Sequence, residues 1–244
     1  MSARVTGATA LRVLQQLRHD PRTVALVLLV PPALITLFHY VLSGQPGTFD
    51  RIGGPMVGIF PFTSMFVVTS IAMLRERTTG TLERLMTLPL AKLDLLLGYA
   101  TAFALLAVVQ ACITAAVAFG LLGLDIEGSV VVVILLAVGN AVLGMALGLF
   151  FSAFARTEFQ AVQFIPAVVL PQILLCGLVV PREHMARALE IVSYGLPLTW
   201  AFDALDHAVR GIDGNRILRD ALIVIGLTVA ALALGASTLR RRTE

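Results

Sequence analysis

Six apolar runs, each long enough to cross a bilayer, constrain this chain more than any other feature. They read Thr23–Leu42, Pro55–Leu74, Leu95–Leu122, Ser129–Phe151, Phe159–Val180 and about Ala221–Leu239. A spanning helix needs about 20 mostly apolar residues. Backbone polar groups in lipid have no water to bond, so a spanning segment is a helix or part of a closed barrel. A barrel would show alternating segments of about ten residues, and none is visible here. Composition agrees. Hydrophobic residues make up 58% of the chain and charged residues only 14%, against about 25% charged in soluble domains. The sequence predicts an all-α polytopic membrane protein, a single transmembrane domain over residues 1–244.

Charge supplies an orientation. With the N-terminus in the cytosol, the inside segments hold Arg4, Arg12, Arg18, Arg22, Arg75, Arg77, Arg84, Lys92, Arg156, Arg240, Arg241 and Arg242. The outside segments hold half as many: Arg51, Arg182, Arg187, Arg210, Arg216 and Arg219. The positive-inside rule therefore predicts both termini in the cytosol of a cell inner or plasma membrane. The net charge of +3 is spread between apolar runs rather than gathered on one face, so no nucleic-acid partner is expected. The first twenty residues lack an apolar core and carry Arg4, Arg12 and Arg18, which predicts no cleavable signal peptide. In residues 1–22, Ala8, Leu11, Leu14 and Leu17 recur near helical spacing, with Arg12 and Arg18 off that stripe. An amphipathic helix lying in the interface is expected there, and Pro21 turns the chain into the bilayer.

Residues 75–94, "RERTTGTLERLMTLPLAKLD", concentrate charge between the second and third runs and include the only lysine, Lys92. Thr78, Thr79 and Gly80 are turn and cap residues. A short amphipathic helix follows, with Leu82, Leu85 and Met86 on one side and Glu83 and Arg84 on another, and Pro89 ends it. A plain solvated loop is the competing reading. It does not account for the apolar positions, which need a headgroup surface or a protein partner to cover them.

This segment resembles the cytosolic segment of ATP-binding-cassette type-2 permeases, whose pattern there is R-E-x-x-x-G-T-L-E-x-L-x-x-x-P-L. Arg75, Glu76, Gly80, Thr81, Leu82, Glu83, Leu85, Pro89 and Leu90 fit it. The resemblance runs the length of the chain and includes "PQILLCGLVVPREHM…SYGLPLTWAFDAL" after the fifth run. The family covers drug exporters of the daunorubicin-resistance type, which this chain resembles, as well as sodium, lipid-linked sugar and nodulation-factor exporters. The resemblance implies a transmembrane subunit of an ATP-driven exporter, with Glu76, Thr78, Gly80, Thr81, Leu82, Glu83, Arg84 and Leu85 coupling it to an ATPase. It also implies a re-entrant outer hairpin and loop over residues 181–216. Two ATPase subunits, and a second permease, identical or homologous, are the implied partners beside the lipid bilayer. In the family, spans two and five line a central cavity. That maps cargo onto Phe62, Met65, Phe66, Phe164 and Leu174, and an outer gate onto Leu178 and Val179. The implied cargo is hydrophobic or amphipathic, moved by alternating access. A lipid-linked glycan is the alternative cargo, and a membrane scaffold or sensor docking a cytosolic partner is the alternative of another class.

No G-x-x-x-x-G-K-[ST], H-E-x-x-H or G-x-S-x-G occurs in the chain. No catalytic residue or cofactor is expected in the chain itself; ATP and magnesium would belong to the partner subunit. Asp203 and His207, four apart, raise a metal site, but a polar helix face with ordinary i,i+4 pairing is the better expectation. His39, Gln110, Asn140, Gln163 and Gln172 are the polar residues inside the runs, expected mainly to bond between helices. Asn140, Gly144 and Gly148 form a small-residue ridge that suits close helix packing.

Overall fold

The computed structural model describes residues 3–44, 47–81 and 92–238. Among these residues every regular element is helical. In chain order they are α1 (Ala3–His19), α2 (Pro21–Val41), α3 (Thr48–Thr78) and α4 (Lys92–Ala115), which runs on as a π-turn over Ala116–Leu121. Then come α5 (Val130–Phe151), α6 (Glu158–Phe164), a π-segment (Ile165–Val169) and α7 (Leu170–Leu175). A 3₁₀ turn (Arg182–His184), α8 (Arg187–Ser193), α9 (Pro197–Val209) and α10 (Gly214–Ser237) complete the order. Six helical stretches are long and apolar enough to cross a membrane, in the order expected from the sequence.

α3 and α5 make the centre, packing along each other more extensively than any other pair. The reason is the small-residue ridge. A Cβ placed on Gly144 would overlap the carbonyl of Phe62, and one on Gly148 would overlap the Phe66 carbonyl and the Thr69 hydroxyl. Only glycine lets the two backbones approach this closely. Thr69 uses the proximity, donating to Met145 O at 3.1 Å. Asn140 Nδ2 reaches Ala201 O at 3.4 Å. Gln110 Nε2 joins three helices, donating to Val27 O and to Ser64 Oγ at 2.9 Å. Gln172 accepts from Leu198 N at 3.3 Å and donates to Val168 O of the preceding π-segment at 3.2 Å. His39 instead stacks edge-on against Phe49, with ring centroids 4.7 Å apart. Gln163 is exposed.

Three boundaries differ from expectation. α3 begins at Thr48, not Pro55, because the helix runs through Gly53, Gly54 and Pro55. Val209 and Leu124 press on the two glycines so closely that packing overrides their poor helix propensity. The fifth span stops at Leu175, not Val180, because Gly177 takes a left-handed φ of 108°. The sixth begins at Gly214, where Asp213 caps Asn215 N at 3.1 Å. Its first turns carry Arg216, Arg219 and Asp220 and pack beside α9. The fifth span, expected to be broken at Pro166 and Pro171, stays helical from Glu158 to Leu175 but passes through the π-segment, and Pro171 sits in the first turn of α7. Pro166 lies in the π-segment, since a proline supplies no amide to the ladder.

α1 lies against α4. Its buried face is Thr9, Ala10 and Val13, flanked by Leu14 and Leu17, while Ala8 and Leu11 are exposed. The expected stripe is thus displaced toward the residues that fit Gly98, whose bare Cα receives Thr9.

Candidate functional site

One group of polar residues gathers at the end of the bundle where α3 finishes. α3 closes at Thr78 with Thr79 as C-cap, and Gly80 follows at φ 72°. A left-handed glycine just past the last turn is a common helix stop. Thr79 Oγ1 bonds back to Arg75 O at 2.8 Å and meets Thr81 Oγ1 at 3.1 Å. Of the eight expected coupling residues, Glu76, Thr78, Gly80 and Thr81 are described and lie together here. Leu82, Glu83, Arg84 and Leu85 lie outside the described residues.

The last turns of α3 are tied on two sides. On one, Glu76 accepts from Gln16 Nε2 at 3.2 Å and lies 3.6 Å from the Arg12 guanidinium. Arg12 donates in turn to the Tyr99 hydroxyl and sits over its ring. On the other, Arg75 makes a two-pronged bond to Glu158 at 2.6 and 3.1 Å, joining α3 to the start of α6. Asp20 caps α2 by accepting from Thr23 N at 3.2 Å and Thr23 Oγ1 at 2.6 Å, and these bonds hold its carboxyl below the usual carboxylate range. Between these groups lies a cavity of about 440 Å³.

Arg12 and Tyr99 were not expected in this site. Arg12 reads as an interfacial charge off the apolar stripe, and Tyr99 lies inside an apolar run. The available signal is the tyrosine, because a buried phenol needs a partner for its hydroxyl. Arg77 is likewise drawn inward, its guanidinium bonding Thr238 Oγ1 at 3.3 Å.

The five expected cargo residues do not share one surface. Phe62, Met65 and Phe66 have no exposed area and sit inside the bundle, the rings against α5. Phe164 is half-buried beside Phe151, with ring centroids 5.5 Å apart. Leu174, on α7, is 49% exposed.

At the opposite end, Leu178 is half-buried and Val179 exposed, in the non-helical stretch after Gly177. A groove of about 420 Å³ separates that stretch from Thr48, Arg51 and Ile52 of α3. Arg182 anchors the following turn by bonding both carboxylate oxygens of Asp203 at 2.8 Å. Burial pushes the Asp203 carboxyl up, more strongly than Arg182 pulls it down. His207 meets Asp220 at 3.0 Å, and Asp220 is also paired with Arg219 at 2.8 Å. Asp203 and His207 therefore bind other elements rather than each other. The i,i+4 pair on α9 is Asp206 with Arg210, at 2.9 Å. No group of three metal-ligating side chains occurs among the described residues.

Comparison with known proteins places this architecture. The family model described as ABC-2 type transporter matches residues 5–209. ABC transporter G family member 20 of Dictyostelium discoideum is 27% identical over 172 residues, 69% of this chain and 24% of that protein. The inner membrane transport permease YhhJ of Escherichia coli is 28% identical over 149 residues, 60% of this chain and 40% of that protein. The probable multidrug ABC transporter permease YbhR of Escherichia coli is 27% identical over 143 residues, 59% of this chain and 39% of that protein. These matches span from about a quarter to two-fifths of each relative's length. With a family match over most of its length and six apolar spans in the expected order, this membrane protein belongs to the ABC-2 type transporter family.

Proposed function

We propose that the chain is the permease subunit of an ATP-driven exporter, working with separate ATPase subunits and a second permease, and moving amphipathic small molecules out of the cytosol. The observation that carries this reading is mechanical. The central, most buried span, α3, runs straight into the segment that carries the family pattern, through Gly80. Its last turns are clamped by Arg12, Gln16 and Tyr99 on one side and by Glu158 on the other. A displacement of the segment therefore acts on α3, α1 and α6 together. Residues 82–88, apolar at Leu82, Leu85 and Met86 and charged at Glu83 and Arg84, carry a pattern that suits docking in a groove of an ATPase, with the charges setting register.

The orientation follows. The Gly80 end faces the cytosol with both termini, and the Gly177 end faces out, in the inner or plasma membrane. Alternating access then means that two copies change their contact across the exposed faces of their fifth spans. Phe164 and Leu174 sit on that span and supply the direct cargo contact. Phe62, Met65 and Phe66 act from behind, by fixing how α3 seats on α5. Leu178 and Val179 close the outer end by apolar contact between the two copies. The apolar character of the exposed fifth span and the word multidrug in a relative's name support an apolar or amphipathic cargo over a glycan.

Reconstitution with the cognate ATPase tests the reading. Substrate-dependent ATP hydrolysis and outward transport are expected. A chain that binds no ATPase, and instead holds an unrelated cytosolic protein, would support the scaffold alternative.

A further inference from the structure

We infer that a groove at the Arg156 end of the fifth span holds an anionic phospholipid, its headgroup on Arg156 and its acyl chains along the span's exposed apolar face. The inference rests on the proposed orientation only in assigning this lipid to the cytosolic leaflet; the binding itself does not depend on transport.

The groove, about 370 Å³, lies beside the turn that joins α5 to α6 and is lined by Phe154, Arg156, Gln160, Gln163, Phe164 and Ala167. Its walls are held in place. The rings of Phe154 and Phe164 both pack on Phe151, at centroid distances of 6.1 and 5.5 Å, and Phe154 also meets Phe150 at 5.3 Å. Gln160 Oε1 accepts from the Arg156 amide at 2.8 Å, which fixes the backbone that carries the arginine.

Charge sets the sign of the ligand. Among the described residues Arg156 is the only charged side chain lining the groove. It is exposed, and its guanidinium has no ion pair or hydrogen bond among those residues. Glu158, two positions on, is already taken by both prongs of Arg75. Gln160 Nε2 and the Gln163 amide are the remaining donors at the groove. A guanidinium beside two amide donors matches a phosphate. A phosphatidylglycerol headgroup brings that phosphate with net negative charge. A phosphatidylcholine headgroup adds a choline cation, which finds no carboxylate in the groove and faces Arg156 instead.

A soluble anion would satisfy only half of the site. Phe154 is 60% exposed and Phe159 72% exposed. Past the groove, Ala167, Leu170 and Leu174 are uncovered on the same span. Exposed rings beside an arginine, leading into an apolar stretch, match the boundary between headgroups and acyl chains. One lipid molecule covers both parts.

Quenching of tryptophan by brominated lipids tests the site. The full chain carries the reporter Phe154→Trp in phosphatidylcholine vesicles, and the parent chain, whose single tryptophan is Trp200, supplies the baseline. Dibrominated phosphatidylglycerol and dibrominated phosphatidylcholine of equal chain length are compared. The anionic lipid is expected to be preferred about fivefold, the effect of one arginine near an anionic headgroup. Arg156→Gln in the reporter chain should remove the preference, and Arg156→Lys should retain part of it. A second reporter, Val229→Trp, at an exposed position of α10, should show no preference. Equal quenching by the two lipids at the first reporter, the same preference at both reporters, or a preference unchanged by Arg156→Gln would overturn the site. So would loss of the preference to millimolar inorganic phosphate at matched ionic strength, which would assign the groove to a soluble anion. No ATPase or cargo is present, so failure here removes the lipid site and leaves the exporter reading standing.

Discussion

The second and fifth spans of this chain contrast sharply. α3 is buried over 61% of its most apolar window, while the fifth span is buried over only 17% of its own. The sequences do not announce the difference, since both are apolar and both contain two prolines. It arises from partners. α3 faces Gly144 and Gly148, which bring α5 against it and enclose Phe62, Met65 and Phe66. The fifth span has no such partner, is interrupted by the π-segment at Ile165–Val169, and leaves Phe159, Leu170 and Leu174 uncovered. Within one chain, then, one span is a seated rod and the other presents a free apolar face. A rod suits the transmission of a push; a free face suits lipid, a second copy or cargo.

The largest effect is expected where the rod is seated. Gly148→Leu places a side chain into backbone atoms of Phe66 and should cost about 3 kcal/mol or more, seen as loss of monodisperse protein on size exclusion. Near-normal yield and thermal stability would show that the α3–α5 contact is not the centre of the fold. Next, Phe66→Ala should lower stability by about 3–5 kcal/mol, whereas Leu174→Ala should stay within about 0.5 kcal/mol and change transport instead. Thermal unfolding in detergent compares the two, and similar losses from both would erase the distinction between the spans.

Much of this fold was legible in the sequence because membrane insertion depends on length and apolarity, which composition records directly. Six spans, the amphipathic entry helix, the Gly80 stop and the Asn140–Gly144–Gly148 packing ridge follow from local pattern. What was not legible depends on which side of an apolar helix finds a neighbour. Phe62 and Leu174 are alike in sequence as apolar residues of a span, yet one is sealed and the other exposed. Periodicity does not separate them, because lipid and protein interior select the same side chains. The displaced stripe on α1 has the same origin: Gly98 of α4 selects Thr9, and no feature of α1 alone reports it. Arg12, paired with Tyr99 across 87 residues, was hidden by distance along the chain.

Smaller effects test the joint between the two spans. Arg75 and Glu158 link α3 to the fifth span, but both side chains are more than half exposed. Arg75→Ala should therefore cost no more than about 1 kcal/mol in stability, while reducing the coupling of ATP hydrolysis to transport. A stability loss of several kcal/mol would mean that the fifth span is held by this pair rather than left free. The smallest effect concerns the turn after Gly177. Arg182 holds it through both carboxylate oxygens of Asp203, so Asp203→Asn, which loses the charge and one acceptor, should modestly raise the alkylation rate of Val179→Cys at neutral pH; an unchanged rate would remove the anchor.

The most direct test of the account is the pairing of ATPase with the segment that follows α3. The full chain, its Leu82→Asp variant and its Leu174→Ala variant are each purified from cells expressing the cognate ATPase, and bound ATPase and substrate export are measured. The account predicts that the wild-type chain and Leu174→Ala retain the ATPase, that Leu82→Asp loses it, and that export fails with Leu82→Asp. Full ATPase association and normal export by Leu82→Asp would contradict the central claim that the seated span and its following segment couple this permease to its motor.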